Sequence, residues 1–322
     1  MHRKRALFAA AATLLLLNGC GGGQTVEGSE GQSSISLAAT GKSDDKAKAD
    51  ADAGPYEAPP FADSSFHSDL AEGSETVRLD LSATADGYVA VSAVSEHRLK
   101  FQVSKDETTY TYDVSSDGTP SVFPLQCGDG SYRFQMLENV VDSKYAEIYS
   151  TEQTVTLSDE FQPFLRPSDY VSYTPDSQCV KKAAELARTA GDELGLVSAV
   201  YEFVCDSVTY DRDKAANVSA DYLPDPDETL KSGKGICFDY ASLAGAMLRS
   251  QGIPTKEIFG YVSPDGLYHA WNMFYTEETG WVTVSYEARG NTWTRLDLTF
   301  AAGGADAEFI GDGSNYSDVY FY

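Results

Sequence analysis

The hydrophobic period of this chain changes once, near residue 166, and that change limits the folds open to it. From about Glu75 to Ser158 the period is two: Val77, Leu79 and Leu81 alternate with polar residues, as do Leu99, Phe101 and Val103. Tyr110 and Tyr112 continue the pattern, then Tyr132 and Phe134. Asp86-Gly87, Asp117-Gly118 and Asp129-Gly130 punctuate these runs as turns. Roughly seven or eight short strands at such spacing predict an all-β, sandwich-like domain over 61–165. His67 and His97 stand apart within it and read as surface residues, so this region is expected to bind or to space rather than to catalyse.

After Phe164-Leu165-Arg166-Pro167 the period becomes helical. Val180, Ala183, Ala184 and Ala187 form one stripe, Gly191 interrupts it, and Leu196, Val197, Val200, Phe203 and Val204 form a second. Residues 211–232, rich in acids with Pro224 and Pro226, read as a loop. A third helix is expected from Cys237 to Gln251, stopped by Gly252 and Pro254. Strand-like runs follow at Glu257–Val262, Leu267–Tyr275 and Trp281–Tyr286. Helices followed by an antiparallel sheet predict an α+β domain over 166–322.

The N-terminal stretch addresses the compartment. His2-Arg3-Lys4-Arg5 precede an apolar run from Ala6 to Leu17, well short of the ~20 residues a spanning helix needs. Residues 1–20 therefore read as a signal peptide. Leu17-Asn18-Gly19-Cys20 resembles a bacterial lipobox, which implies lipidation of Cys20 and a membrane-anchored, extracytoplasmic protein. Ordinary cleavage or an uncleaved short anchor are the alternatives. Residues 21–60 hold few large apolar side chains and read as a disordered tether. The formal charge of −25 opposes binding to phosphate backbones, so nucleic acid is not expected as a partner.

Three residues carry the expected chemistry. Cys237 starts a predicted helix behind Gly233-Lys234-Gly235-Ile236. Helix-terminal N–H groups favour a thiolate there and can donate to an oxyanion, although a bare cysteine at a helix start is often inert packing. A nucleophilic cysteine needs a base, and His269 is the only histidine of this second domain. On its strand His269, Trp271, Met273 and Tyr275 share one face. Asp297, among the apolar residues of Trp293 to Phe300, is a candidate to orient the imidazole, or else the partner of Arg295.

Gly233-Lys234-Gly235-Ile236-Cys237-Phe238-Asp239-Tyr240-Ala241 resembles the cysteine motif of transglutaminase-like domains. Tyr268-His269-Ala270-Trp271-Asn272 is similar to their histidine motif, and Trp293 to Phe300 to their aspartate segment. The resemblance runs from about Tyr170 to Phe300. It implies a papain-like α+β core with Cys237 as nucleophile, His269 as base and acid, and Asp297 as orienting acid. It further implies thioester chemistry on protein or peptide amides at the cell surface, ending in hydrolysis or transfer to an amine. The alternative is a non-catalytic surface binding or scaffold lipoprotein. Tyr210 is the candidate second oxyanion donor. Asp225-Pro226-Asp227-Glu228 reads as solvated loop acids rather than a cation site, so no metal or other cofactor is expected.

The remaining cysteines raise a pairing question. Cys179 and Cys205 are symmetric about Gly191-Asp192, so an antiparallel helical hairpin would set them level and permit a disulfide. Two reduced core thiols are the other reading, and Cys127 is left over. The lipobox reading yields the first prediction. Cys20→Ala should move the protein from membranes to the soluble extracytoplasmic fraction on cell fractionation, and membrane retention of that variant would overturn the assignment.

Overall fold

A computed structural model of the chain describes residues 55–262, 267–277, 279–283 and 316–322. Cys20 and Asp297 lie outside the described residues. The period-two region forms eight antiparallel strands in two sheets: β1 (Glu72–Gly73), β2 (Val77–Asp80), β3 (Tyr88–Ala93), β4 (Leu99–Lys105), β5 (Thr108–Val114), β6 (Ser121–Pro124), β7 (Gly130–Val141) and β8 (Lys144–Val155). The sheet orders are β1-β2-β3-β6 and β5-β4-β7-β8. Leu99, Phe101 and Val103 pair across from Val114, Tyr112 and Tyr110, so all six side chains enter one core. Val77, Leu79, Val89, Val91 and Phe123 meet them from the other sheet. Tyr112 stacks on Phe123 at 4.2 Å, and Phe123 in turn stacks on Phe101 at 5.5 Å, closing the sandwich. Each such buried aromatic removes enough apolar area to be worth about 2–3 kcal/mol.

His67 is not an isolated surface residue. Its backbone N–H and Nδ1 lie 2.7 and 2.9 Å from the buried carboxylate of Asp80, to which Ser82 also donates. Burial works to raise the Asp80 carboxyl, but these hydrogen bonds outweigh it and hold the group below its ordinary range.

The helical region contains α1 (Gln178–Ala187), α2 (Glu193–Ser207), α3 (Arg212–Asn217), α4 (Pro226–Ser232) and α5 (Cys237–Arg249). It also contains short strands β9 (Thr209–Tyr210) and β10 (Lys234–Gly235), and strands β11 (Thr255–Val262), β12 (Leu267–Thr276), β13 (Gly280–Thr283) and β14 (Tyr316–Phe321) in the order β13-β12-β11-β14. Asp192 caps α2, its side chain accepting from the Gly195 N–H at 2.7 Å. Residues 239–249 of α5 are all buried. A helix covered on every side belongs at the centre of a domain, and α5 is packed by α1, α2, α4 and the sheet of β11 and β12.

Residues 211–232, expected as a loop, include α3 and α4. Asp211 and Asp225 provide the N-caps, accepting from the N–H groups of Lys214 and of Asp227 and Glu228. Acids that read as solvated loop are here the residues that start helices. Strand β14 was not anticipated, because its partner β11 is distant in sequence and only tertiary pairing defines it.

The α1–α2 hairpin forms as expected, but no disulfide joins Cys179 to Cys205. Cys179 turns toward α4, where the Asp227 carboxylate accepts from its backbone N–H at 2.9 Å and from its thiol. Burial and then Asp227 push that thiol well up, so it stays protonated.

The two regions share a core. The sandwich cluster also contains Ala241, Phe259, Ala270 and Tyr322, and Tyr322 packs on Tyr170 at 4.2 Å and on Tyr110 at 5.5 Å. The connection crosses at Gly87, whose φ is 82° and where a Cβ would stand 2.6 Å from the nitrogen of Pro163. The end of the stretch read as tether packs as well: Tyr56 donates from its N–H to Ala190 O at 2.7 Å and from its hydroxyl to Gln251 O at 2.8 Å.

Glu257 is fully buried on β11, and neither carboxyl oxygen has a hydrogen-bond partner. Nearby Arg249 gives its guanidinium to the carbonyls of Thr255, Arg166 and Tyr322 instead. Burial therefore raises the Glu257 carboxyl well above its usual value of 4.5, more than Arg249 lowers it. Folding must keep Glu257 protonated while the unfolded chain ionises, so this group costs stability increasingly as pH rises above 4.5. Glu257→Gln should raise Tm at pH 8 and leave it nearly unchanged near pH 4. Thermal melts at the two pH values check this, and a Tm gain of equal size at both would contradict the account.

Candidate active site

Cys237 is the first residue of α5 and is half-buried. The chain reaches it along β10, which pairs in parallel with β9 so that Gly235 lies opposite Tyr210. Asp211 N–H donates to Gly235 O at 2.8 Å and Thr209 N–H to Gly233 O at 2.9 Å. At Gly235 a Cβ would stand 2.6 Å from Cβ of Asp239, so only glycine lets this loop close against the helix start. Tyr210 is half-buried beside the loop. Burial raises its hydroxyl above the ordinary tyrosine range and the charge of Cys237 adds to the effect. Through the β9–β10 register, the backbone of the candidate oxyanion donor lies opposite the residue two before Cys237.

His269 lies on β12 opposite Gly260 of β11, is 3% exposed, and sits with its ring 6.2 Å from Trp271 at an interplanar angle of 26°. The sheet alternates as expected. Ala270, Asn272 and Phe274 occupy the face that meets the helices, and Asn272 Nδ2 donates to Ala241 O of α5 at 3.1 Å. His269 shares the opposite face with Trp271. The ring of Phe238, next after Cys237, meets Phe259 at 4.9 Å, and Phe259 pairs with Ala270, next after His269. The backbone segments of Cys237 and His269 are thus linked through these neighbours, while the His269 side chain itself lies on the sheet face away from α5. Tyr268 and Tyr261 line the exposed rim there, 5.3 Å apart. Burial, then neighbouring tyrosines and Cys237, push the Tyr268 hydroxyl up to about 12.

Asp239, in the first turn of α5, has no solvent exposure and receives four hydrogen-bonding contacts. Ile236 N–H donates to it at 2.7 Å, Lys214 Nζ lies 2.9 and 2.8 Å from its two oxygens, and the Tyr222 hydroxyl donates to Oδ1. Sequence reasoning passed over Lys214, Tyr222 and Asp239. The one local signal was an acid at the third helical position, the place from which a side chain reaches back to the cap N–H.

The acids weighed as a cation site serve the fold. Besides the capping by Asp225, Asp227 accepts from the N–H groups of Gln178 and Cys179. Among the described residues no group of three or more His, Cys, Asp or Glu is arranged to hold a metal ion.

Residues 180–286 match the model of the transglutaminase-like superfamily, and the described residues have the mixed helix-and-sheet fold that goes with it. A protein of Methanocaldococcus jannaschii, a UPF0252 protein, is 28% identical over 116 residues, covering 34% of this chain and 31% of its own. This chain thus spans about a third of that relative. Among solved structures, a Cytophaga hutchinsonii protein described as a cysteine protease aligns over 78% of this chain and 80% of its own, with 17% identity and TM-score 0.36. The periplasmic domain of TgpA from Pseudomonas aeruginosa aligns over 81% of each chain, with 15% identity and TM-score 0.33. Red sea bream transglutaminase aligns over 66% of this chain and 48% of its own, with 15% identity and TM-score 0.27.

The cysteines differ enough to be separated chemically. Burial raises the thiols of Cys127 and Cys179, whereas Cys237 is half-buried at a helix N-terminus. Mild iodoacetamide at neutral pH should label Cys237 at least about tenfold faster than Cys127 or Cys179, read by peptide mass spectrometry. Uniform labelling would remove its special status.

Proposed function

We propose that this protein is an extracytoplasmic, lipid-anchored thiol enzyme of the transglutaminase-like type, with Cys237 as nucleophile, His269 as general base and acid, and Asp297 as the residue that orients His269. The observation that carries the reading is the position of Cys237 at the N-terminus of a buried helix, within the stretch matching the superfamily. Terminal N–H groups of α5 favour the thiolate and can receive an oxyanion, with the Tyr210 hydroxyl as second donor.

In this reading the Cys237 thiolate attacks an amide carbonyl, and electrons move onto its oxygen. As the tetrahedral intermediate collapses, His269 protonates the departing nitrogen, and a thioester remains on Cys237. Water then releases an acid, or an amine such as a lysine side chain takes the acyl group. The acceptor, whichever it is, gives its proton to His269 before the thiolate leaves. The substrate class is a protein or peptide amide at the cell surface. The lipid on Cys20 and the stretch behind it would hold the enzyme at the membrane, facing outward.

Incubation of the purified protein with peptides carrying glutamine and lysine, read by mass spectrometry, tests this. Hydrolysed or cross-linked peptide is expected, and Cys237→Ala or His269→Ala should each lower turnover by at least about 10³-fold. Product that survives in Cys237→Ala would refute the assignment. No product from the intact protein, whatever the peptide, would favour the scaffold reading instead.

A further inference from the structure

The Asp239 cluster has features that packing alone does not require. A carboxylate removed entirely from water needs both countercharge and hydrogen bonds. Only one of its partners, the Ile236 N–H, comes from the adjoining chain, and that amide immediately precedes Cys237. The other two, Lys214 and Tyr222, are delivered by the stretch that runs from β9, which carries Tyr210, to α4. Lys214 is itself held in place. Its Nζ donates to the Tyr222 hydroxyl at 2.6 Å and stands 4.4 Å from the centre of that ring, while Asp211 caps its helix. Burial, and then the hydrogen bond and charge of Asp239, push the Tyr222 hydroxyl far up, so it remains a donor.

Asp239 and Cys237 lie two residues apart in the first turn of α5. An uncompensated negative charge there would oppose a thiolate at Cys237, and a carboxylate free to turn would release the Ile236 N–H that shapes the loop. We propose that Lys214 and Tyr222 are positioning residues for Cys237, acting through Asp239 to neutralise the charge beside the thiol and to hold the loop of residues 235–237 against the helix. The proposal rests on Cys237 being the reactive thiol, but it does not require that a substrate be known.

Its test is therefore the second-order rate of iodoacetamide alkylation at Cys237 in the full chain, which is independent of turnover. Lys214→Met should slow that alkylation about tenfold, the change in thiolate fraction that one unit of pKa produces. In the double variant Lys214→Met/Asp239→Asn the charge is removed with its counterion, and an asparagine oxygen can still accept from Ile236 N–H. Alkylation should then return to within about threefold of the parent. If Lys214→Met does not fold, Tyr222→Phe replaces it, with a slowing of about threefold expected from the lost donor. An unchanged rate in the single variants overturns the proposal. So does an equal slowing in the single and double variants, which would mark the cluster as packing only. Absence of peptide turnover alongside the predicted alkylation pattern would count against the enzymatic reading and not against this one.

Discussion

Helix α5 is buried along nearly its whole length, and it carries an ionisable side chain near each end, Asp239 and Arg249, with almost no access to water. Much of the surrounding structure can be understood as the means of satisfying those two groups. Asp239 draws in the stretch between β9 and α4 through Lys214 and Tyr222. Arg249 collects the carbonyls of Thr255, Arg166 and Tyr322, and so ties the first strand of the sheet, the inter-region connection and the last residue to one guanidinium. The signs also suit the helix, with an acid in the first turn and a base in the last. Breaking either set would leave a buried charge unmatched, a loss on the order of 3–5 kcal/mol.

The same centre explains why the sandwich is more than a spacer. Tyr322 is held by backbone pairing with Glu257 and by Arg249, and its ring stacks on Tyr170 and meets Tyr110 and Tyr112 edge-on. Phe259 and Phe238 extend this aromatic seam to the residue beside Cys237. Edge-to-face and offset aromatic pairs add about 0.5–1.5 kcal/mol each beyond area burial. The seam makes the cysteine end of α5 part of the packing between the two regions.

Much of this was legible from residues close together in the chain. Strict alternation in β4, β5 and β7 defined the sandwich because one face of each strand had to be apolar. The stripes around Val180 and Leu196 defined α1 and α2, and Gly191 marked the break between them. The motifs around Cys237 and His269 marked the helix start and the strand. The stretch 211–232 was misread, since short helices held by Asp caps and tertiary contacts carry little periodic signal. The disulfide was misjudged for a related reason: symmetry about a turn sets the height of two residues on a hairpin but not the direction of their thiols, and Asp227 took Cys179 the other way.

What the sequence by itself determined was the class of each region and the identity of the reactive candidates, because hydrophobic period, helix-start geometry and motif order are local properties. Only the tertiary structure decided which distant residues meet: β14 against β11, Tyr322 in the sandwich core, Lys214 and Tyr222 on Asp239, and Glu257 without a partner. Those outcomes depend on desolvation. Whether a charge is costly, paired or neutral is set by what surrounds it once the chain has closed, and that environment has no signature along the chain.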